Sequence, residues 1–214
     1  MVVEGTCEKK VYTGWIQFIN PTLNYSEDFY KLTENSFAIL SGGGYPSYYK
    51  IIENAIADVN SLGNVDRLII SIDSEDMTRE EKYNEVYNFV TKFECNSKII
   101  IIIQHFCLET WALGNRIILR RNTSNERLKT YLNCFDVITK DPELLPQYPP
   151  EDLTRAQFAY KYLRTIISDR YSSISYSKSR PNIIINNGYF CQLKKRFNET
   201  GHISSFESFL TAFI

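Results

Sequence analysis

Two hydrophobic patterns alternate through the first half of the chain. Short, continuously apolar runs stand at Val2-Val3, Ser36 to Leu40, Arg67 to Ile72 and Lys98 to Gln104, each the length of a buried strand. Between them, apolar residues recur at intervals of three and four. The sets are Val11, Trp15, Ile16 and Ile19; then Ile51, Ile52, Ala55, Ile56 and Val59; then Tyr83, Val86, Tyr87 and Val90. Each set lies on one face of a helix. The spacing predicts helices over Cys7 to Ile19, stopped by Asn20-Pro21, over Ser47 to Ser61 and over Asp76 to Phe93. Another is expected over Leu108 to Ile118. The five isoleucines from Ile99 to Ile103 suit a strand covered on both faces. Strands separated by helices mean βαβ units, so the expected fold is α/β: a Rossmann-like parallel sheet of about four strands flanked by helices.

The second half is less regular. Phe135 to Ile138 reads as a short strand, Pro142 to Pro150 as a loop, and Asp152 to Ser168 as a helix. Tyr171 to Arg180 is rich in Ser and Tyr and reads as a loop or flap, with a turn at Asn187-Gly188. Two short helices follow, the last over Ser204 to Phe213. This organisation predicts a core over residues 1–140 and a mainly helical C-terminal extension, 141–214, packed on it as one globular unit.

Composition changes little in that picture. Hydrophobic residues make up 43% and charged residues 23% of 214, an ordinary globular profile. The five cysteines are scattered, with no C-x-x-C pair, which argues against a zinc site or a disulfide frame and for reduced thiols. Neither an apolar leader nor a run near the ~20 residues of a membrane span is present, so a cytoplasmic location and no membrane partner are expected. The formal net charge of −1 lacks the basic excess of a free-standing nucleic-acid binder.

Chemistry is expected where open α/β sheets place it, at the carboxyl ends of the strands. Strand one ends at Glu4, with Glu8 four residues on. Strand three ends in Asp73-Ser74-Glu75-Asp76, and strand four leads through His105 to Glu109. Carboxylates brought together repel, and a bound cation relieves the repulsion. Oxygen-only ligands favour Mg2+ or Mn2+ over zinc. Structural roles compete with each assignment. Glu8 suits the positive end of its helix, Glu75 and Asp76 suit a helix start, and Glu109 could pair with Arg116 or Arg120. The triple glycine Gly42 to Gly44 lacks a following G-K-[ST], so a tight turn is expected rather than a P-loop. His105 and Cys107, two residues apart, make a poor catalytic dyad.

Four segments carry a resemblance. Val3-Glu4-Gly5-Thr6-Cys7-Glu8 resembles the V-E-G-x-x-E opening of Toprim domains in the OLD and RloB-like nuclease groups. Ile72-Asp73-Ser74-Glu75-Asp76 resembles their D-x-D motif, and Phe106-Cys107-Leu108-Glu109-Thr110-Trp111 is similar to their F-E-x-W segment, with Glu109 one place later. The tail from His202 to Phe206 is similar to the closing segment of some of these proteins. The match covers roughly the first 115 residues by strand order. It implies a Toprim-like core that hydrolyses phosphodiesters with divalent metal. Glu4, Asp73 and Glu75 would hold one ion, and Glu8 and Glu109 would complete a two-ion clamp. Lys178 stands for the late lysine that stabilises the transition state. Glu75 departs from the second aspartate of the pattern, and Asp76 could take that place.

The expected function is therefore a divalent-metal-dependent nuclease acting on DNA or RNA, the effector of a bacterial or phage defence system on the strength of the resemblance. The near-neutral charge leads us to expect a regulatory partner, plausibly an ATPase, or a homo-oligomer. The alternative is a non-catalytic Toprim-like scaffold that binds metal or a partner. Arg120, Arg121, Lys178 and Arg180 around the carboxylates would favour the nuclease. Tyr45, Tyr48, Tyr49, Tyr171 and Tyr176 could offer faces to unpaired bases.

Overall fold

A computed structural model describes all 214 residues. The chain begins with β1 (Val2–Val3), α1 (Thr6–Ile19), β2 (Asn24–Tyr25), β3 (Ser36–Phe37), β4 (Leu40–Ser41) and α2 (Ser47–Leu62). It continues through β5 (Arg67–Asp73), α3 (Arg79–Val90), β6 (Lys98–Gln104) and α4 (Leu108–Ala112). Five helices complete it: α5 (Glu126–Cys134), α6 (Arg155–Arg170), α7 (Asn182–Ile185), α8 (Asn187–Thr200) and α9 (Phe206–Thr211). The main sheet has the order β4-β1-β5-β6 and is parallel throughout. This is the expected Rossmann-like α/β arrangement.

Strand alternation sends successive side chains to opposite faces. Val2, Leu68, Ile70 and Ile72 pack with Ile52, Ala55, Ile56 and Val59 of α2 and with Val86 and Val90 of α3. Val3, Ile69 and Ile102 face the other way, into a core that continues to Phe213 and includes α1, α4, α6, α8 and α9. In that larger core Trp15, Trp111, Phe206 and Phe209 stack within about 6 Å of one another.

Several local expectations are corrected. The run Ser36 to Leu40 is two strands: Phe37 turns to Tyr25 in a small β2–β3 sheet, and only Leu40–Ser41 joins β1. The helix after β6 ends at Ala112, where the chain turns and Asn115 accepts the Ile117 N–H in a side-chain-closed turn. Phe135 to Ile138 is not a strand. Asp136 accepts from the Ile138 N–H and the Thr139 hydroxyl and bends the chain, while Phe135 and Val137 remain buried. Asn187-Gly188 opens α8 instead of turning, because Asn186 caps that helix through the Tyr189 N–H. Capping boxes start α3 at Thr78 and α6 at Thr154, each later than the apolar spacing suggests. The stripe of α3 is also rotated: Lys82, Val86 and Val90 face inward, and Tyr83 and Tyr87 are exposed.

Candidate functional site

The carboxyl ends of β1 and β5 bring the first acids together. Glu4 follows β1, and its Oε2 accepts the Asp73 N–H at 3.3 Å across the strand pair. Asp73 closes β5 opposite Gln104 of β6 and is 8% exposed. Glu8 stands in the first turn of α1 and is 4% exposed. Gly5 makes that position possible: a Cβ there would lie 2.7 Å from Glu8 Oε2. Glu109, in the first turn of α4, is 1% exposed and accepts a 2.8 Å hydrogen bond from Tyr176.

Below these acids runs a buried polar layer. The Tyr12 hydroxyl donates to Gln104 Oε1. Gln104 Nε2 and Asp73 Oδ1 are buried and have no hydrogen-bond partner. Orphaned buried polar atoms are uncommon, because each forfeits its hydration. Asp73 Oδ1 is such an acceptor, and Glu8, Glu4 and Glu109 act on its carboxyl.

The electrostatics agree with the crowding. Burial, and then the neighbouring Glu8 and Glu4, raise the Asp73 carboxyl well above its ordinary range. Burial raises Glu8, and Glu109 and Glu4 add to it. Glu4 is likewise raised by burial and by Glu75, against the Asp73 N–H, which lowers it. Lys178 is the cation within the group. Burial pulls its ammonium down, but Glu109, Asp73 and Glu8 overcome that and the net shift is upward.

Glu4, Glu8, Asp73, Glu109 and Lys178 thus share one field. Glu75 lies at its rim, exposed, close enough to act on Glu4 and held at φ +50°, a region that costs an L-residue energy. Asp76 is exposed. Glu8 does stand at the positive end of α1, as its competing role has it, whereas the competing roles of Glu75, Asp76 and Glu109 are not realised. Thr78 caps α3, Arg116 pairs with Glu199 at 2.6 Å, and Arg120 reaches the Arg170 carbonyl. His105 Nδ1 meets Ser74 Oγ at 2.8 Å, whereas Cys107 Sγ faces Thr110 and the Ala156 carbonyl. Of the expected basic rim, only Lys178 acts on the carboxylates; Arg121 lines a separate surface cavity. Tyr48 and Tyr176 are fully buried and offer no face for stacking, while Tyr45 is 69% exposed.

One participant escaped the sequence, and another, Tyr176, is expected from it in a different role. Lys82 occupies an inward position of α3, 7% exposed, pairs with Glu85 at 3.0 Å and acts on Glu4. Its spacing with Val86 and Val90 was the available signal, hidden by the charge at a core position. Tyr176 reads as a loop aromatic, and only the tertiary structure carries its hydroxyl to Glu109. The triple glycine is the expected tight turn, with Gly42 N–H on the Val3 carbonyl and Gly44 N–H on the Glu4 carbonyl.

No family model, curated protein or solved structure matches this chain. Its chemistry rests on its own residues.

Carboxylate oxygens, one of them buried and unpartnered, are the donor type that a hard divalent cation takes. As the side chains stand, with Lys178 supplying the counter-charge, no three or more His, Cys, Asp or Glu are grouped so that they could hold a metal ion. No helix is long and apolar enough to cross a membrane.

Proposed function

We propose that this chain is a divalent-metal-dependent phosphodiesterase of nucleic acid, a Toprim-like nuclease, with Glu4, Glu8, Asp73 and Glu109 as its metal-holding acids. The observation that carries the reading is Asp73 Oδ1, buried and unpartnered among three further carboxylates at the strand ends. Asp73 and Glu4 would hold the first ion, with Glu75 swinging in from the rim, and Glu8 and Glu109 would serve a second. Mg2+ or Mn2+ in such a site polarises a phosphoryl oxygen and lowers the pKa of water. Lys178 would meet the charge that develops on phosphorus. DNA and RNA are both admitted as substrates, and a role as effector of a defence system, with a partner ATPase or a second copy supplying affinity, belongs to the same reading.

The test is cleavage of plasmid, single-stranded DNA and total RNA with Mn2+, with and without chelator. Glu4→Gln and Asp73→Asn should each lose at least about 100-fold in rate while keeping the wild-type circular dichroism. Wild-type rates in both variants would remove the proposal.

A second reading is a scaffold that binds metal or a partner without catalysis. One observation favours it: Lys178 already neutralises part of the acidic cluster. Calorimetric Mn2+ binding by wild type but not by Asp73→Asn, with no cleavage of any substrate, would select it.

A further inference from the structure

The loops that follow β5 and β6 run side by side beyond the last register pair, Asp73 and Gln104. Ser74 N–H donates to the Gln104 carbonyl at 2.9 Å, Glu75 N–H donates to the Phe106 carbonyl at 2.9 Å, and Ser74 Oγ meets His105 Nδ1 at 2.8 Å. On this double loop rests the guanidinium of Arg155, the first residue of α6, 4.8 Å from the centre of the Phe106 ring. Arg155 makes no ion pair, and its Nε is buried without any hydrogen-bond acceptor. A guanidinium carries five donors and a permanent charge; Arg155 is half-buried, and its buried Nε–H lacks an acceptor. Arg79 approaches the same spot. It acts on His105 together with Arg155, donates to Ser204 Oγ at 2.9 Å and has no carboxylate partner. The one acid felt there is Asp141, whose Oδ1 is engaged by the Glu143 and Ile203 N–H groups.

We propose that Arg155, with Arg79 and His105 beside it, receives a phosphate group of the substrate next to the carboxylate cluster. The proposal rests on the nuclease reading and supplies what that site lacks, a cationic seat for the phosphate flanking the one that reacts. The ring of Phe106 holds the planar fork from behind and leaves its edge to the ligand. The dipole of α6, a helix of sixteen residues, adds its field to the guanidinium charge, while the Thr154–Gln157 capping box takes the Thr154 and Gln157 N–H groups. The ligand class is a phosphomonoester or phosphodiester oxygen, since planar donors and a helix dipole select charge and leave the base unread.

Binding can be measured without cleavage. Inorganic phosphate and a twelve-residue oligothymidylate are titrated into the full chain in EDTA, following the arginine Nε–H resonances by NMR. The Arg155 signal, assigned by its absence in Arg155→Lys, should shift saturably. Arg155→Gln should weaken oligonucleotide binding about tenfold, and Arg155→Lys should recover part of it. An unmoved Arg155 resonance, or wild-type affinity in Arg155→Gln, overturns the proposal. So does a lowered Tm in Arg155→Gln with unchanged phosphate binding, which would make the residue a structural prop for Phe106. Phosphate binding lost in Arg155→Gln, without cleavage under any metal condition, would sustain the anion site and remove the nuclease reading.

Discussion

Lys178 tempers the acidic cluster as a whole, and Lys82 assists it at Glu4. Glu4, Glu8 and Asp73 are each raised by burial and then by neighbouring carboxylates, and Lys178 opposes those shifts in all three. Replacing it removes the cation that faces all three acids and leaves Lys82 beside Glu4. Lys178→Met should lower Tm in chelator by about 3 °C, and Mn2+ should restore it; equal Tm values for both proteins in chelator would refute the balance. His105 gives a pH prediction of opposite origin. Burial, then Arg79 and Arg155, press its imidazole down to about 4, while an unfolded histidine titrates near 6.5. Between those values the unfolded chain binds more protons, so the histidine's contribution to stability is lost as pH falls from about 6.5 toward 4. Thermal melts at pH 7 and pH 5 should show a smaller drop for His105→Asn than for wild type.

At the scale of elements, β4 is the weak joint of the sheet. It contributes two residues, pairs only with β1 and leads at once into the glycine turn before α2. The close approach of that turn to α2 requires Gly42: a Cβ there would lie 2.4 Å from Tyr48 Cβ and 2.8 Å from Tyr48 Cα. Backbone and a buried ring cannot yield as a long side chain would. Gly42→Ala should therefore destabilise by about 1–3 kcal/mol, read from urea denaturation. Hydrogen exchange should accelerate first in β4 and the start of α2. Uniform acceleration across β5 and β6 would contradict this placement.

For the whole molecule, one core joins the first residues to the last. Phe209 of α9 stacks 4.5 Å from Tyr12 and about 6 Å from Trp15 and Trp111. Arg67 at the start of β5 donates to the Ala212 carbonyl. Arg196, 1% exposed, gathers the carbonyls of Val137 and Lys140 and holds His202 at 3.1 Å, fastening the loop after α5 to α8. Residues 141–214 thus complete the hydrophobic core of the sheet. Phe209→Ala should cost about 3–5 kcal/mol and shift tryptophan fluorescence and circular dichroism together, as one transition. Two separated transitions would show that the C-terminal helices unfold on their own.

The order of strands and helices through β6 was legible in the residues, because burial on two faces imposes continuous apolar runs and helices impose a 3.6-residue period. Glu4, Glu8, Asp73 and Glu109 could be named for the same reason: strand ends are visible in the chain, and parallel strands bring them to one edge. Tertiary structure alone decided the rest. It divided Ser36 to Leu40 between two sheets, turned Lys82 inward and left Asp76 exposed. It also carried Tyr176 and Lys178 to acids more than sixty residues away in the chain. Those outcomes depend on which surfaces meet, and local spacing has no information about distant partners. The unpaired guanidinium of Arg155 belongs with them, since a missing partner is a property of the folded neighbourhood.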